Sequence, residues 1–155
     1  MFDFIPGDFL TTLTLLPLLG AVVVFALPRE KAQLARWLAL GISLVVLVMA
    51  IVVFVNVASE PPGPDEWAYE YQVEWFPQLN ASWHVGVDGL SATMVLLTGL
   101  LVPLAILISF EVNDRVPQHM ALFLFLETGM LGVFVALDMM IFFLFWELGL
   151  VPMYF

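Results

Sequence analysis

The sequence contains no cysteine, few basic side chains and two isolated histidines. With no cysteine among the 155 residues, disulfides, thiolate metal sites and cysteine nucleophiles are excluded. Four Lys and Arg against a net charge of −10 exclude the basic surface that nucleic-acid binding requires. His84 and His119 lie far apart, and no glycine-rich phosphate-binding loop is present. We therefore expect no metal, no cofactor and no nucleic-acid partner for this chain.

Charge of either sign is scarce, and apolar residues take its place. Charged residues make up 12% and hydrophobic residues 63% of the chain, and the mean hydropathy is +1.04. Globular proteins average about 25% charged and about 45–50% apolar residues. A soluble domain of this length could not bury so much apolar surface, so the composition predicts a membrane protein with the lipid bilayer as its surroundings.

Five apolar stretches approach the roughly 20 residues that a helix needs to cross the hydrocarbon core. They show no period-two alternation, and a helix satisfies its own backbone hydrogen bonds in lipid. We therefore predict an all-α fold, a single polytopic membrane domain over residues 1–155. The predicted transmembrane helices cover residues 9–27, 34–57, 90–110, 120–137 and 139–155.

The few cations predict the orientation. Arg29, Lys31 and Arg36 lie between the first two helices, and Arg115 lies between the third and the fourth. Cytoplasmic loops carry the excess of Lys and Arg in membrane proteins. We therefore predict that both basic loops are cytoplasmic, and that the N-terminus and the connection 58–89 are outside.

The connection 58–89 is the longest one and is rich in acidic and aromatic residues. Prolines at its start, within "SEPPGPDEW", oppose regular structure there. The following "WAYEYQVEWF" alternates in character, which suits a short hairpin or an amphipathic segment at the membrane interface. An external loop with an aromatic anchor is the favoured interpretation, and substrate binding is the alternative.

Two carboxylates, Glu127 and Glu147, interrupt the apolar stretches of the fourth and fifth helices. A charged Glu at a helix centre costs about 2.5–3.5 kcal/mol on insertion scales, so such a residue indicates function by default. Both lie about ten residues from the turn at Asp138, roughly 15 Å along a helix, which places both near the bilayer midplane. Each could relay protons, with Glu147 the main candidate and Glu127 the secondary one. Alternatively, each could stay protonated and hydrogen-bond a neighbouring helix.

Two further acids occupy helix starts. Asp88 stands between glycines before the third helix, and Asp138 precedes the fifth. Asp is a preferred N-terminal cap, because its side chain accepts hydrogen bonds from the free backbone N–H groups of the first turn. We predict a capping or turn role for both residues.

"WHVGVDGLS" and "LGVFVALDMMIFFLFWELGLVPMYF" together make the sequence recognisable. The chain resembles the N-terminal third of the antiporter-like chain M (chain 4) family of proton-pumping NADH–quinone oxidoreductase, respiratory complex I. The resemblance covers essentially all 155 residues, and it is most specific from Leu131 to Phe155. Members of this family are about three times as long, so we expect the chain to be a fragment of a larger subunit.

The resemblance implies a proton-translocating role within a bacterial inner (plasma) membrane. In this family, the Glu of the "FWE" motif, here Glu147, pairs with a lysine on a later helix as part of a proton channel. The subunit holds no redox centre; the NAD, FMN, iron–sulfur and quinone sites belong to other subunits of complex I, which are its expected partners. No family role transfers to Glu127.

Two other functions remain open from the sequence. A cation/proton antiporter subunit or a membrane-hydrogenase subunit shares the expected fold and the "WE" helix. A purely structural membrane scaffold, with both buried carboxyl groups protonated and inert, is the third possibility.

Overall fold

The computed structural model describes residues 8–63, 66–76 and 81–154 of the chain. The N-terminus, whose external position the charges predict, and the tip of the connection at residues 77–80 lie outside the described residues. Five α-helices and one pair of strands make up the described part. They are α1 (Phe9–Phe25), α2 (Ala32–Ser59), β1 (Ala68–Phe76), β2 (Ala81–Val87), α3 (Gly89–Ile108), α4 (Val116–Val135) and α5 (Met139–Tyr154).

The prediction of a polytopic helical membrane fold is confirmed. Three helical segments are long and apolar enough to cross a membrane: Arg29–Ser59, Gly89–Glu111 and Val116–Val135. Helices α1 and α5 are equally apolar but have only 17 and 16 residues. At about 1.5 Å per residue, these two helices are roughly 25 Å long, slightly less than the hydrocarbon thickness of about 30 Å.

The bounds of α4 differ from the predicted span 120–137. The helix begins four residues earlier, at Val116. Pro117 lies in its first turn, where the backbone nitrogen has no hydrogen-bond partner within the helix, so a proline is accommodated there. Polar Gln118 and His119 belong to this turn, although hydropathy excludes them from an apolar span. The helix ends at Val135, because Ala136 is extended and forms an isolated β-bridge with Val85.

The connection 58–89 contains the hairpin that its alternating pattern suggested. Strands β1 and β2 pair antiparallel, with Gln72 opposite His84 and Val73 opposite Trp83. Ala81, Val85 and Val87 are buried on the ends of the helices, and Tyr69 hydrogen-bonds Asn56 of α2. The hairpin is therefore an ordered cap on the bundle, and the all-α prediction omitted this small sheet.

The connections are distributed between two ends of the bundle. At one end, Arg36 donates hydrogen bonds to the carbonyl of Val112 (2.8 Å) and to Oδ1 of Asn113 (2.9 Å). These bonds join the start of α2 to the connection between α3 and α4, so both cation-bearing connections lie together. At the other end, Trp83 Nε1 donates to Thr11 Oγ1 at 2.8 Å, which ties the hairpin to the start of α1.

This arrangement makes the predicted orientation testable by labelling. Substituted cysteines at Glu74 of the hairpin and Asp114 of the opposite end can be probed, because these 155 residues contain no cysteine of their own. In intact cells, a membrane-impermeant thiol reagent should modify Glu74→Cys and leave Asp114→Cys unmodified until the membrane is permeabilised. If only Asp114→Cys were labelled in intact cells, the chain would have the opposite orientation in the membrane.

Helix α4 packs against all four of the other helices. It approaches α5 closely at Gly129, where an added Cβ would lie 2.9 Å from the backbone of Gly149. One turn on, a Cβ on Gly132 would lie 2.1 Å from the ring of Phe145. The absence of side chains on these two glycines therefore permits the close antiparallel approach of α4 and α5.

Candidate functional site in helices α4 and α5

Glu127 lies inside the bundle, with none of its surface exposed. The side of α4 that carries Glu127 faces the other helices. Leu124, Thr128 and Leu131 lie on the same side and are equally buried. Neither carboxyl oxygen of Glu127 has a hydrogen-bond partner among the described residues. The neighbouring Thr128 donates its hydroxyl hydrogen bond to the carbonyl oxygen of Leu124 at 3.1 Å. It therefore donates no hydrogen bond to the carboxyl group of Glu127.

No cation of the surrounding helices reaches Glu127. Helices α1 and α3 contain no ionisable residue, and Arg36, the single cation of α2, is bound at the end of the bundle. An isolated charge in an apolar interior is so costly that a buried carboxyl group takes up a proton instead. Among the described residues, nothing therefore stabilises a charge on Glu127.

Glu147 points the other way. Helix α5 buries Ile141 and Phe145, and Glu147 lies about 200° around the helix from Phe145, at 100° per residue. Glu147 is accordingly exposed on the outer side of α5. The same side carries large exposed residues that include Met140, Phe143, Leu150 and Tyr154. Glu147 is thus the one carboxylate in an otherwise apolar stripe.

The two carboxylates have similar depth but do not meet. The contact between Gly129 and Gly149 sets the register of the α4–α5 pair and places Glu127 nearly opposite Val151. Glu147 is four residues before Val151, which corresponds to a difference of about 6 Å along the helix. Glu127 faces the interior and Glu147 faces outward, so the structure separates the two residues that the sequence placed together by depth.

Both predicted caps are confirmed. Asp88 accepts a hydrogen bond from the backbone N–H of Ser91 at 2.7 Å, and Asp138 accepts one from that of Met140 at 2.8 Å. Asp138 also accepts from the backbone N–H of Ser82 in the hairpin at 3.0 Å, a contact that no sequence pattern indicated. The backbone hydrogen bond from Ser91 lowers the pKa of Asp88, and the one from Ser82 lowers the pKa of Asp138. Both are charged at neutral pH, and their contacts weaken only when the pH falls through these lowered pKa values.

Metal ligands are not assembled in the part of the chain that the structure describes. No group of three or more His, Asp or Glu side chains lies together there. His84 instead contacts Glu70 at 2.8 Å on the hairpin surface, and His119 packs edge-on against Phe123.

Fold and site together define a class of protein. The chain is a multi-pass helical membrane protein. Among the described residues, α1 to α5 contain two carboxylates: Glu127, which is enclosed, and Glu147, which lies on an outward face. Such residues are typical of membrane subunits that move ions or protons.

Comparison with known proteins identifies the relatives within this class. The chain is 37% identical to NAD(P)H-quinone oxidoreductase chain 4 2 of Microcystis aeruginosa over 145 residues, covering 94% of this chain and 26% of that protein. It is also 37% identical to NADH-quinone oxidoreductase subunit M of Pseudomonas aeruginosa over 148 residues, covering 92% of this chain and 29% of that protein. The predicted resemblance is confirmed: nearly the whole chain is similar to proteins named NADH-quinone oxidoreductase subunit M or chain 4. It spans about a quarter of the length of these relatives.

A solved structure shares the fold. A chain of the membrane-bound sulfane sulfur reductase, an archaeal respiratory membrane complex, superposes with a TM-score of 0.74 at 23% identity. The match covers 94% of this chain and 29% of that chain. Similarity at this level of identity shows the fold alone. No protein-family model matches the sequence.

Proposed function

We propose that this chain is part of a proton-translocating membrane subunit of NADH–quinone oxidoreductase, with Glu147 as its main proton-transfer residue. The observation that carries the proposal is the position of Glu147 on the outward apolar face of α5 in a homologue of subunit M. The other membrane subunits of the complex are the partners, and the bacterial plasma membrane is the location.

The exposure of Glu147 argues that α5 does not face lipid in the whole protein. A charged residue at the bilayer centre costs about 2.5–3.5 kcal/mol on insertion scales, and such residues almost always face a bundle interior or a wet cavity. The relatives are nearly four times as long as the matched segment, so further helices are available to cover this face. The family resemblance indicates a lysine on one of them.

A carboxyl group in this position transfers protons by alternating between two states. One state is the protonated carboxylic acid and the other is the carboxylate. When a cation approaches from the covering helix, it stabilises the anion, and the proton is released into any water that reaches the site. When the cation withdraws, Glu147 takes up another proton. The direction of transfer depends on which side supplies the water.

The chain contributes no redox chemistry in this proposal. It offers no thiolates and no pair of histidines at ligand spacing, so NAD, FMN, iron–sulfur clusters and quinone bind to other subunits. Its task within the enzyme is to move protons when quinone reduction elsewhere drives a conformational change. The decisive experiment measures proton uptake into vesicles together with NADH oxidation for a Glu147→Gln variant of the full complex.

The structural likeness to the sulfane sulfur reductase chain supports a second candidate, because the same fold occurs in another respiratory membrane complex. A cation/proton antiporter subunit or a membrane-hydrogenase subunit would use Glu147 in the same way. Proton uptake that depends on NADH, and that sodium does not alter, would favour the NADH–quinone oxidoreductase.

Glu127 is the secondary proton-transfer residue of the proposal, and its enclosure predicts a smaller effect. Glu127→Gln keeps the shape of the buried side chain and introduces no charge, so the complex should assemble. We expect proton translocation to fall severalfold without being abolished. Translocation at the wild-type rate would show that Glu127 only packs, and complete loss would make it equal in importance to Glu147.

A charge reversal at Glu127 tests whether the position is enclosed, independently of any role in proton transfer. Glu127→Lys places an ammonium group in an interior where no carboxylate of the described helices can pair with it. Because an unpaired buried charge is costly, this variant should fail to assemble. Assembly of the Lys variant at wild-type levels would mean that water or another subunit reaches this position.

A further inference from the structure

The hairpin is fastened to the start of α5 through one carboxylate. Asp138 Oδ2 accepts hydrogen bonds from the backbone N–H of Ser82 (3.0 Å) and from its hydroxyl (3.3 Å). The other oxygen, Oδ1, accepts from the backbone N–H of Met140 in the first turn of α5 (2.8 Å). One side chain thus connects strand β2 to the N-terminus of the helix that carries Glu147.

Backbone contacts strengthen this connection. The N–H of Leu137 donates to the carbonyl of His84 at 2.9 Å, and Ala136 forms a β-bridge with Val85. Gly86 allows the side chain of Leu137 to lie against the strand, since a Cβ at Gly86 would be 2.8 Å from Leu137 Cδ1. The turn between α4 and α5 is therefore docked along the edge of β2.

A second contact reaches further along α5. The indole of Trp83 packs edge-on against the ring of Phe145, with ring centroids 5.9 Å apart. Phe145 is two residues before Glu147 and is one of only two fully buried residues of α5. The same Trp83 side chain is fixed at its other end by its hydrogen bond to Thr11. Strand β2 consequently contacts α5 at its first turn and again at Phe145, which is about 3 Å from Glu147 along the helix axis but on the opposite face.

Few side chains fix the rotation of α5. The helix has 16 residues, of which only Ile141 and Phe145 are buried, and its backbone approaches α4 at Gly149. Glu147 lies nine residues beyond Asp138, about 13 Å along the helix, so a small rotation at the docked end moves the carboxyl group around the axis. Proton transfer requires its groups within hydrogen-bond reach, and a misplacement of about 1 Å can cost about 100-fold in rate.

We propose that Asp138 is a positioning residue for proton transfer: by tying hairpin strand β2 to the first turn of α5, it sets the rotation of α5 and thereby the place of Glu147. Rearrangement of the hairpin, on the opposite end from the cation-bearing connections, is then transmitted to a carboxyl group near the midplane. This inference rests on the proposed role of Glu147.

Asp138→Asn tests the proposal in the full complex. Asn remains a good N-cap, because its carbonyl can still accept from Met140. Its NH₂ group, however, meets the N–H of Ser82 as donor against donor, so the backbone hydrogen bond to the hairpin is lost. We expect an assembled complex with proton uptake reduced about tenfold, which is less than the full effect of a misplacement of about 1 Å. Asp138→Glu keeps the carboxylate and should recover part of the uptake.

Asp88→Asn is the matched control. Asp88 also caps a transmembrane helix, through Ser91, but the structure gives it no hydrogen bond to the hairpin. Uptake close to the wild-type rate is expected for this variant. An equal loss in Asp88→Asn and Asp138→Asn would reduce Asp138 to an ordinary cap and overturn the proposal.

Infrared spectroscopy supplies a readout at Glu147 itself. The carboxyl band of Glu147 is assigned by its disappearance in Glu147→Gln, and it should shift in Asp138→Asn but not in Asp88→Asn. An unshifted band with unreduced uptake in Asp138→Asn overturns the proposal. If Asp138→Asn does not assemble, Ser82→Ala is the substitute: it removes the hydroxyl bond to Asp138 and the cross-strand bond from Gln72, and it keeps the backbone bond to Asp138. Ser82→Ala should shift the same band and lower uptake about twofold, and no change in either would overturn the proposal. Wild-type uptake in Glu147→Gln would instead refute the proposed function.

Discussion

Replacement of Glu147 by Gln should leave the complex assembled and remove most of its proton translocation. The amide keeps the shape of the side chain and one hydrogen-bond acceptor, but it cannot give up or take up a proton at any accessible pH. Much of the coupled NADH–quinone turnover should be lost as well, because electron transfer and proton transfer share one conformational cycle in the proposal. Proton uptake into vesicles, NADH oxidation and a native gel measure the three quantities.

Two further substitutions define what the Glu147→Gln result means. Glu147→Asp retains a carboxyl group about one methylene short and should keep part of both activities. Glu111→Gln removes an exposed carboxylate from the short turn after α3, and it should leave both activities unchanged. A Glu147→Gln complex that assembles and pumps at the wild-type rate would show that Glu147 is a neutral packing residue.

The depth of the two carboxylates followed from sequence, but their directions did not. The short connection at Asp138 requires α4 and α5 to run antiparallel, which fixes depth from residue counts alone. Direction requires knowing which face of each helix is buried. Every face of α5 is apolar, with Phe143 and Leu144 exposed beside buried Phe145, so hydrophobic periodicity could not distinguish the inner face from the outer one.

The helix starts illustrate why local features are easier to predict. Asp88 and Asp138 act on backbone N–H groups within three residues, so their capping roles are visible in a short stretch of sequence. The bond from Ser82 to Asp138 joins positions 56 residues apart. It depends on how the hairpin lies on the helix ends, and no local pattern encodes that placement.

Glycines within α4 and α5 are a sequence signal for close packing between the two helices. Gly129, Gly132 and Gly149 are all in helices, where glycine costs roughly 0.5–1 kcal/mol relative to alanine. Such a cost is compensated where a side chain would prevent close packing. The structure shows that this holds for Gly129 and Gly132 but not for Gly149, whose Cβ position is open.

Gly129→Ala should therefore separate α4 from α5 and destabilise the subunit. Its new Cβ would lie 2.9 Å from the Cα and N of Gly149, and backbone atoms cannot move aside as a flexible side chain can. Overpacking typically costs about 1–3 kcal/mol, and Gly129→Val should cost more than Gly129→Ala. Lower yields of assembled complex and a lower unfolding temperature in detergent measure the effect.

Gly149→Ala is the control, because it adds the same methyl group from the other side of the same contact. No atom lies within 4 Å of its Cβ position, and alanine favours the helical state, so stability should be unchanged or slightly raised. The difference between the two variants depends on the register that also turns Glu147 outward and Glu127 inward. If Gly149→Ala were as damaging as Gly129→Ala, the register would be shifted, and the opposite directions assigned to the two carboxylates would have to be revised with it.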